Sequence, residues 1–136
     1  MTLTDTGPLV GLFNRRDSRH ADCLLAARQL PVGPLLTTWP CLTEAMYLLH
    51  RAKGAKGQQN LWDAVSKEIV QLADLSSAEV FRMQELMEQY RNVPMDLADA
   101  SLVAIAESRG IKRLFTLDSD FRIYQLADRS FLELIP

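Results

Sequence analysis

A helix that is apolar nearly all round has to be buried on more than one side. Residues 94–110, PMDLADASLVAIAESRG, spell such a helix. Pro94 suits a position at or just before a helix start, and Gly110 suits the left-handed residue that ends one. Between them Ala100, Leu102, Val103, Ala104, Ile105 and Ala106 leave no polar stripe for solvent. The first turn is different. Asp96 and Asp99 stand three apart, so both carboxylates lie on one face. Taken alone, this pair is N-capping chemistry, with Asp96 as the cap and Asp99 as its third-position companion. The placement of the other acids opens a second reading.

With 136 residues, 48% hydrophobic and 24% charged, the chain is expected to form one soluble domain with a sizeable core. No apolar run reaches the roughly 18 residues that span a bilayer. The opening MTLTDTGPL has no basic region and carries an acid at position 5, so no secretory leader is expected and the location implied is cytoplasmic. Cys23 and Cys41 have no metal spacing and read as buried free thiols. The net charge of −2 does not advertise a nucleic-acid binder, but it is unevenly spread. Residues 1–60 hold seven Lys/Arg against four acids, and residues 61–136 hold eight against thirteen.

Strand and helix patterns alternate along the chain. Residues 1–4 read as a strand ending at Asp5, and Thr6-Gly7-Pro8 opens a short helix. Residues 19–30 read as a helix with Ala21, Leu24, Leu25 and Ala27 inward. Leu35–Thr38 reads as a second strand, followed by a helix from Trp39-Pro40 to about Ala52. The basic stretch RAKGAKGQQ from Arg51 reads as a link, and a helix over 58–67 would turn Leu61, Trp62 and Val65 inward. A third strand is expected over 68–72. A helix capped by Ser76 or Ser77 runs to Tyr90 with Val80, Met83, Leu86 and Met87 on its core face. After the buried helix come a strand over 112–117, a helical turn near Phe121 and an edge strand over 130–135. This order predicts an α/β fold, a three-layer sandwich around a mostly parallel sheet.

In open parallel sheets, ligands sit beyond the carboxyl ends of the strands. Asp5 ends the first strand and Asp118 the fourth. Glu44 lies just past the second, and Asp96 and Asp99 start the helix that feeds the fourth. Carboxylates gathered so closely would repel one another and be driven to protonate. A divalent cation removes that conflict. Only oxygen donors are placed to bind it, which suits Mg²⁺, with Mn²⁺ as substitute, and phosphodiester chemistry.

Four motifs in series, Asp5-Thr6-Gly7-Pro8-Leu9-Val10, Thr43-Glu44-Ala45, Asp96-Leu97-Ala98-Asp99-Ala100-Ser101-Leu102 and Thr116-Leu117-Asp118-Ser119-Asp120-Phe121, carry a family likeness. Together they make the chain resemble a PIN-domain ribonuclease, above all the VapC-type toxins of bacterial toxin–antitoxin pairs, over essentially its whole length. The resemblance implies one PIN-like domain over 1–136. It implies an acidic quartet of Asp5, Glu44, Asp99 and Asp118, in which Asp5 and Asp99 hold Mg²⁺ and the other two complete the cluster. Thr116 would support the site by hydrogen bond. Asp96 would be an accessory ligand and Asp120 a capping group, with the choice between Asp118 and Asp120 as the metal-facing acid left open. It further implies RNA cleavage to 5′-phosphate and 3′-hydroxyl ends, with transfer RNA or another structured RNA as substrate. The partners implied are a second copy in a homodimer and an inhibiting antitoxin. The antitoxin would wrap the helices near residues 8–30 and 40–55 and push a basic side chain toward the acids.

Other readings stand beside these. Arg15, Arg16, Arg19, Arg51, Lys53 and Lys56 are candidates for RNA-phosphate contacts, or a solvated face. Trp39 either stacks a base or packs at its helix start, with packing favoured. His20 and His50 read as surface or capping residues, Trp62 and Phe121 as core, and the Met83, Leu86, Met87 stripe as core or a dimer seam. The functional alternatives are a non-catalytic PIN-like scaffold for RNA or protein, and a Mg²⁺ phosphatase with an aspartyl-phosphate intermediate. The second usually wants an acid two residues after the first-strand aspartate, and position 7 is glycine.

Overall fold

Five short runs pair into one sheet in the computed structural model, which describes residues 1–136. They are β1 (Thr2–Thr4), β2 (Leu35–Thr38), β3 (Val70–Ala73), β4 (Arg113–Phe115) and β5 (Glu133–Ile135). Every pairing is parallel, and the spatial order is β3-β2-β1-β4-β5. The helices are α1 (Thr6–Phe13), α2 (His20–Gln29), α3 (Trp39–Lys53), α4 (Ala55–Ser66), α5 (Ser77–Gln89) and α6 (Leu97–Arg109), with a 3₁₀ turn at Ser119–Arg122.

Alternation along the strands sorts these elements into three layers. Leu3, Leu36 and Leu114 pack with Met83, Leu86, Leu102 and Ile105 of α5 and α6. On the other face Val70 packs with Leu9, Leu42, Leu49 and Leu61 of α1, α3 and α4. Phe115 packs there with Cys23 and Ala26 of α2. The sheet is thus covered on both sides, as parallel strands require. Helix α6 is the buried element its composition demands, with every residue from Ala98 to Ala106 out of solvent. Asp96 caps it, Asp99 completes a capping box, and Gly110 ends it in the left-handed conformation at φ 64°. No helix is long and apolar enough to cross a membrane.

Several expectations are corrected. The basic stretch after Arg51 is no link: α4 begins at Ala55, and Gly54 alone, at φ 64°, turns the chain between two helices. That tight turn works because Gly57 passes close to α3, where an added Cβ would lie 2.9 Å from the Leu49 carbonyl oxygen. Helix α2 docks through its small residues. Cys23 and Ala26 are buried against α1, where a Cβ on Gly11 would meet Cys23 Sγ at 2.6 Å, and Leu24 and Leu25 are left on the outer side. Trp62 is 47% exposed, because Gly57, Leu61 and Ala64 form the inner face of α4 and Trp62 sits one step round it. Val80 is exposed as well, while Met83 and Leu86 are buried as expected. Strand β3 begins at Val70, since Glu68 takes a left-handed φ of 58° in the preceding turn.

Candidate active site

Four helical N-termini meet at the carboxyl edge of β1, β2 and β4, and acids cap three of them. Asp5 follows β1. Its backbone N–H donates to the Phe115 carbonyl at 2.9 Å, which ties it to the end of β4. Its side chain caps α1, with Oδ1 accepting from the Thr6 N–H at 2.7 Å. Its other oxygen, Oδ2, accepts from the Thr116 hydroxyl at 2.8 Å. Asp96 and Asp99 cap α6 reciprocally, with Asp99 N–H donating to Asp96 Oδ1 at 2.8 Å and Asp96 N–H to Asp99 Oδ2 at 3.2 Å. Asp118 caps the 3₁₀ turn by accepting from the Asp120 N–H at 2.9 Å. The fourth terminus, that of α3, is capped by Thr38, whose hydroxyl also lies 2.7 Å from the Ser101 hydroxyl of α6.

These acids share one cavity of about 430 Å³. Asp5, Glu44, Asp96, Asp99 and Asp118 line it, with Thr6 and Ser119 among the rest. Glu44 reaches it from the second turn of α3, where its Oε2 stands 3.2 Å from Thr6 Oγ1. Asp118 lines the cavity and Asp120 does not, so of the two it is Asp118 that faces the other acids. Thr116 lies buried beneath, between Asp5 and the Asp118 N–H that donates to it at 3.0 Å. The helix-capping reading and the shared-cavity reading therefore describe the same side chains.

Electrostatics link the acids. Burial pushes the Asp5 carboxyl up, against the lowering effect of the Thr116 and Thr6 hydrogen bonds, and the charges of Asp118 and Asp96 push it further. Asp99 is pushed up to about 7, by burial first and then by Asp96, with Asp5 and Asp118 adding to it. The Cys41 thiol, 3.9 Å from Asp5 Oδ1, is raised to about 12 by burial and by that same carboxylate. Tyr124 is raised too, by burial and then by Asp99.

Each carboxylate is turned to a local donor, and as placed no three His, Cys, Asp or Glu side chains form a group that could hold a metal ion. The cluster's chemistry nonetheless fits a hard divalent cation. Every donor is an oxygen, and Asp5 and Asp99, raised first by burial and then by the neighbouring carboxylates, would both be favoured in their charged form by such a cation.

Five of the six basic candidates stand apart from the acids. Arg15, Arg16, Arg51 and Lys56 are exposed and, like the half-buried Lys53, do not line the acidic cavity. Arg51 and Lys53 occupy the last turn of α3, where cations complement the helix dipole. Arg19 pairs with Asp22 at 3.2 Å and lines a small cavity of about 110 Å³ beside Thr116 and Asp118. Arg122 lines the same small cavity and was missed in the sequence, where nothing sets it apart. Tyr124 was also missed. Its hydroxyl donates to the Pro94 carbonyl at 2.6 Å and lies 3.5 Å from Asp99 Oδ2. Trp39 is a correction: it is 46% exposed rather than packed. As the first residue of a helix starting at a strand's carboxyl end, it is delivered to the rim of the site.

Comparison with known proteins bears on the fold and the family. No curated protein sequence matches the chain significantly. Among solved structures, the sarcin–ricin loop cleaving toxin VapC20 of Mycobacterium tuberculosis superposes with a TM-score of 0.84 at 20% identity, covering 100% of both chains. VapBC2 from Rickettsia felis, bound to a DNA fragment from its promoter, gives 0.68 at 18% identity over 99% of this chain and 98% of that one. A toxin–antitoxin complex from Klebsiella pneumoniae gives 0.60 at 25% identity over 89% and 90%. The PIN domain model matches residues 2–126, every strand but the last and every acid of the cavity. The chain belongs to the PIN domain family.

Proposed function

We propose that this chain is a Mg²⁺-dependent endoribonuclease, one PIN-like domain over residues 1–136, acting as the toxin of a toxin–antitoxin pair. The observation that carries this reading is the convergence of Asp5, Glu44, Asp99 and Asp118, from four separate segments, on one cavity at the carboxyl edge of a parallel sheet. Capping accounts for Asp5, Asp99 and Asp118 one at a time, but not for their meeting Glu44 in one cavity.

Asp5 and Asp99 would hold the cation, with Glu44 and Asp118 completing the oxygen set and Asp96 accessory at the rim. When bound, Mg²⁺ or Mn²⁺ supplies Lewis acidity and the positive charge that phosphodiester hydrolysis needs. Thr116 holds Asp5 in one orientation through Oδ2, and Thr6 does the same for Glu44. Asp120 lends its N–H to Asp118 and so fixes that side chain at the cavity wall. Arg19 and Arg122, which line a small cavity beside Asp118, would meet RNA phosphates flanking the scissile one. Arg15, Arg16, Arg51, Lys53 and Lys56 would act at longer range, on the backbone of a structured RNA such as transfer RNA.

The toxin role is supported by the likeness to VapC20 and to two toxin–antitoxin assemblies. A cognate antitoxin would place a basic side chain in the acidic cavity, where a guanidinium satisfies carboxylates in the cation's stead. The protein would be a homodimer acting in the cytoplasm. The test is direct. Purified chain should cut RNA in Mg²⁺ or Mn²⁺ and not in EDTA, and its expression should arrest growth unless a small neighbouring reading frame is co-expressed. RNA left intact in either metal would reduce the chain to a binding scaffold.

A further inference from the structure

We propose that the groove between α3 and the start of α6 is a stacking platform for an unpaired nucleobase adjacent to the scissile phosphate. The inference rests on the nuclease reading and names what binds beside its acids. The groove, of about 670 Å³, is lined by Trp39, Tyr47 and Leu97 and shares Glu44 and Asp96 with the acidic cavity. Its three large apolar side chains are 46%, 61% and 54% exposed. Clustered exposure of that kind marks a binding surface rather than ordinary solvated residues.

The chemistry of the surface selects the ligand. Residues 39, 43, 47 and 51 recur every four positions, so Trp39, Thr43, Tyr47 and Arg51 form one stripe along α3. Arg51 Cζ stands 5.9 Å from the centre of the Tyr47 ring, which sets a cation against an aromatic face. Trp39 is steadied at its edge, where Nε1 donates to Asp74 Oδ1 at 3.4 Å. Two rings and a guanidinium in a row match a base with its following phosphate. A protein partner fits less well. An apolar segment laid on the rings would desolvate Glu44 and Asp96 at the rim unless it also brought them a cation, while a planar base on the rings need not cover either carboxylate. Because groove and cavity adjoin at those two acids, one nucleotide chain can place a phosphate in the cavity and its neighbouring base on the rings.

The test uses Trp39 as its own reporter in a Trp62→Phe background, since Trp62 lies on α4 away from the groove. Its emission is titrated with a single-stranded RNA decamer in Ca²⁺, and with a decamer of the same charge whose central residues are abasic. Quenching by the first and not the second is expected. Read by the anisotropy of a fluorescein-labelled decamer, which needs no tryptophan, Tyr47→Ala and Trp39→Ala should each weaken binding roughly 5- to 150-fold, the worth of one stacked base. Trp39→Phe should keep most of the affinity, and in Mg²⁺ both alanine variants should raise KM with kcat within about twofold. Equal quenching by the abasic decamer overturns the proposal. So does a Trp39 signal that follows protein concentration without RNA while the sedimenting mass doubles, which makes the groove a contact between two copies. The two readings fail separately. Base-dependent quenching without cleavage removes the nuclease and keeps the platform; cleavage with unchanged KM in both variants removes the platform and keeps the nuclease.

Discussion

The hydroxyl of Thr116 donates to Asp5 Oδ2 at 2.8 Å across 111 positions of sequence, and accepts from the Asp118 N–H at 3.0 Å. One small side chain therefore fixes an acid after β1 relative to an acid after β4. It also opposes the burial that raises Asp5.

Thr116→Val keeps the shape and removes the donor. Asp5 should then rise further and bind the cation less well, so that half-maximal cleavage needs about 10- to 100-fold more Mg²⁺. Thr116→Ser should recover most of the loss. A metal titration of the initial rate of RNA cleavage measures both.

Asp99→Asn should lower cleavage by more than about 100-fold without unfolding α6. The amide oxygen of asparagine still accepts from the Asp96 N–H, so the capping box survives in part. Circular dichroism should match the parent, and cleavage at the parent rate would take Asp99 out of the mechanism.

Stability without metal should fall as pH rises from about 5 to about 7. Asp5 and Asp99 are raised in the folded chain, so in that window the native state binds more protons than the unfolded one, and the slope of stability against pH is negative. Glu79 is lowered from 4.5 by Ser108 and Ser76 bonds against its burial, so its contribution is lost only on the acid side of that window. Melting temperature in EDTA should drop by several degrees between pH 5 and 7.5. Mg²⁺ should reverse the drop, and Asp99→Asn should flatten it.

Gly57→Ala should destabilise by about 1 kcal/mol net. The crowding against the Leu49 carbonyl costs about 1–3 kcal/mol, offset by about 1 kcal/mol of helix propensity. Urea denaturation with an unchanged slope reads this directly. A stabilised variant would show that α3 and α4 can separate without cost.

Much of the fold is legible because its signals are local. Strand runs, the Ser76 and Asp96 caps and the Gly110 stop sit where the residues place them, within a position or two, except that the last strand begins three residues late, at Glu133. The acids are legible because strand ends in a parallel sheet share an edge. What escapes is the rotation of each helix about its axis. Leu24, Leu25, Trp62 and Val80 are apolar and in helices, yet small neighbours or a buried Glu79 take the inner face. The Gly54 turn hides among basic residues whose composition resembles a loop. The exposure of Trp39 follows from its place at the end of β2, which its proline neighbour obscures. The stripe of four residues along α3 is readable once that helix is known to face outward there.

The strand order carries a consequence for how the chain is made. β1 lies at the centre of the sheet, yet one of its two neighbours, β4, spans Arg113–Phe115. During translation the acid at position 5 leaves the ribosome long before the hydroxyl of Thr116 and the carboxylate of Asp118 that join it. No nascent fragment ending before Asp118 can assemble the catalytic cluster proposed here. On the nuclease reading, a growing polypeptide would stay inert toward RNA until Asp118 has emerged and folded onto β1.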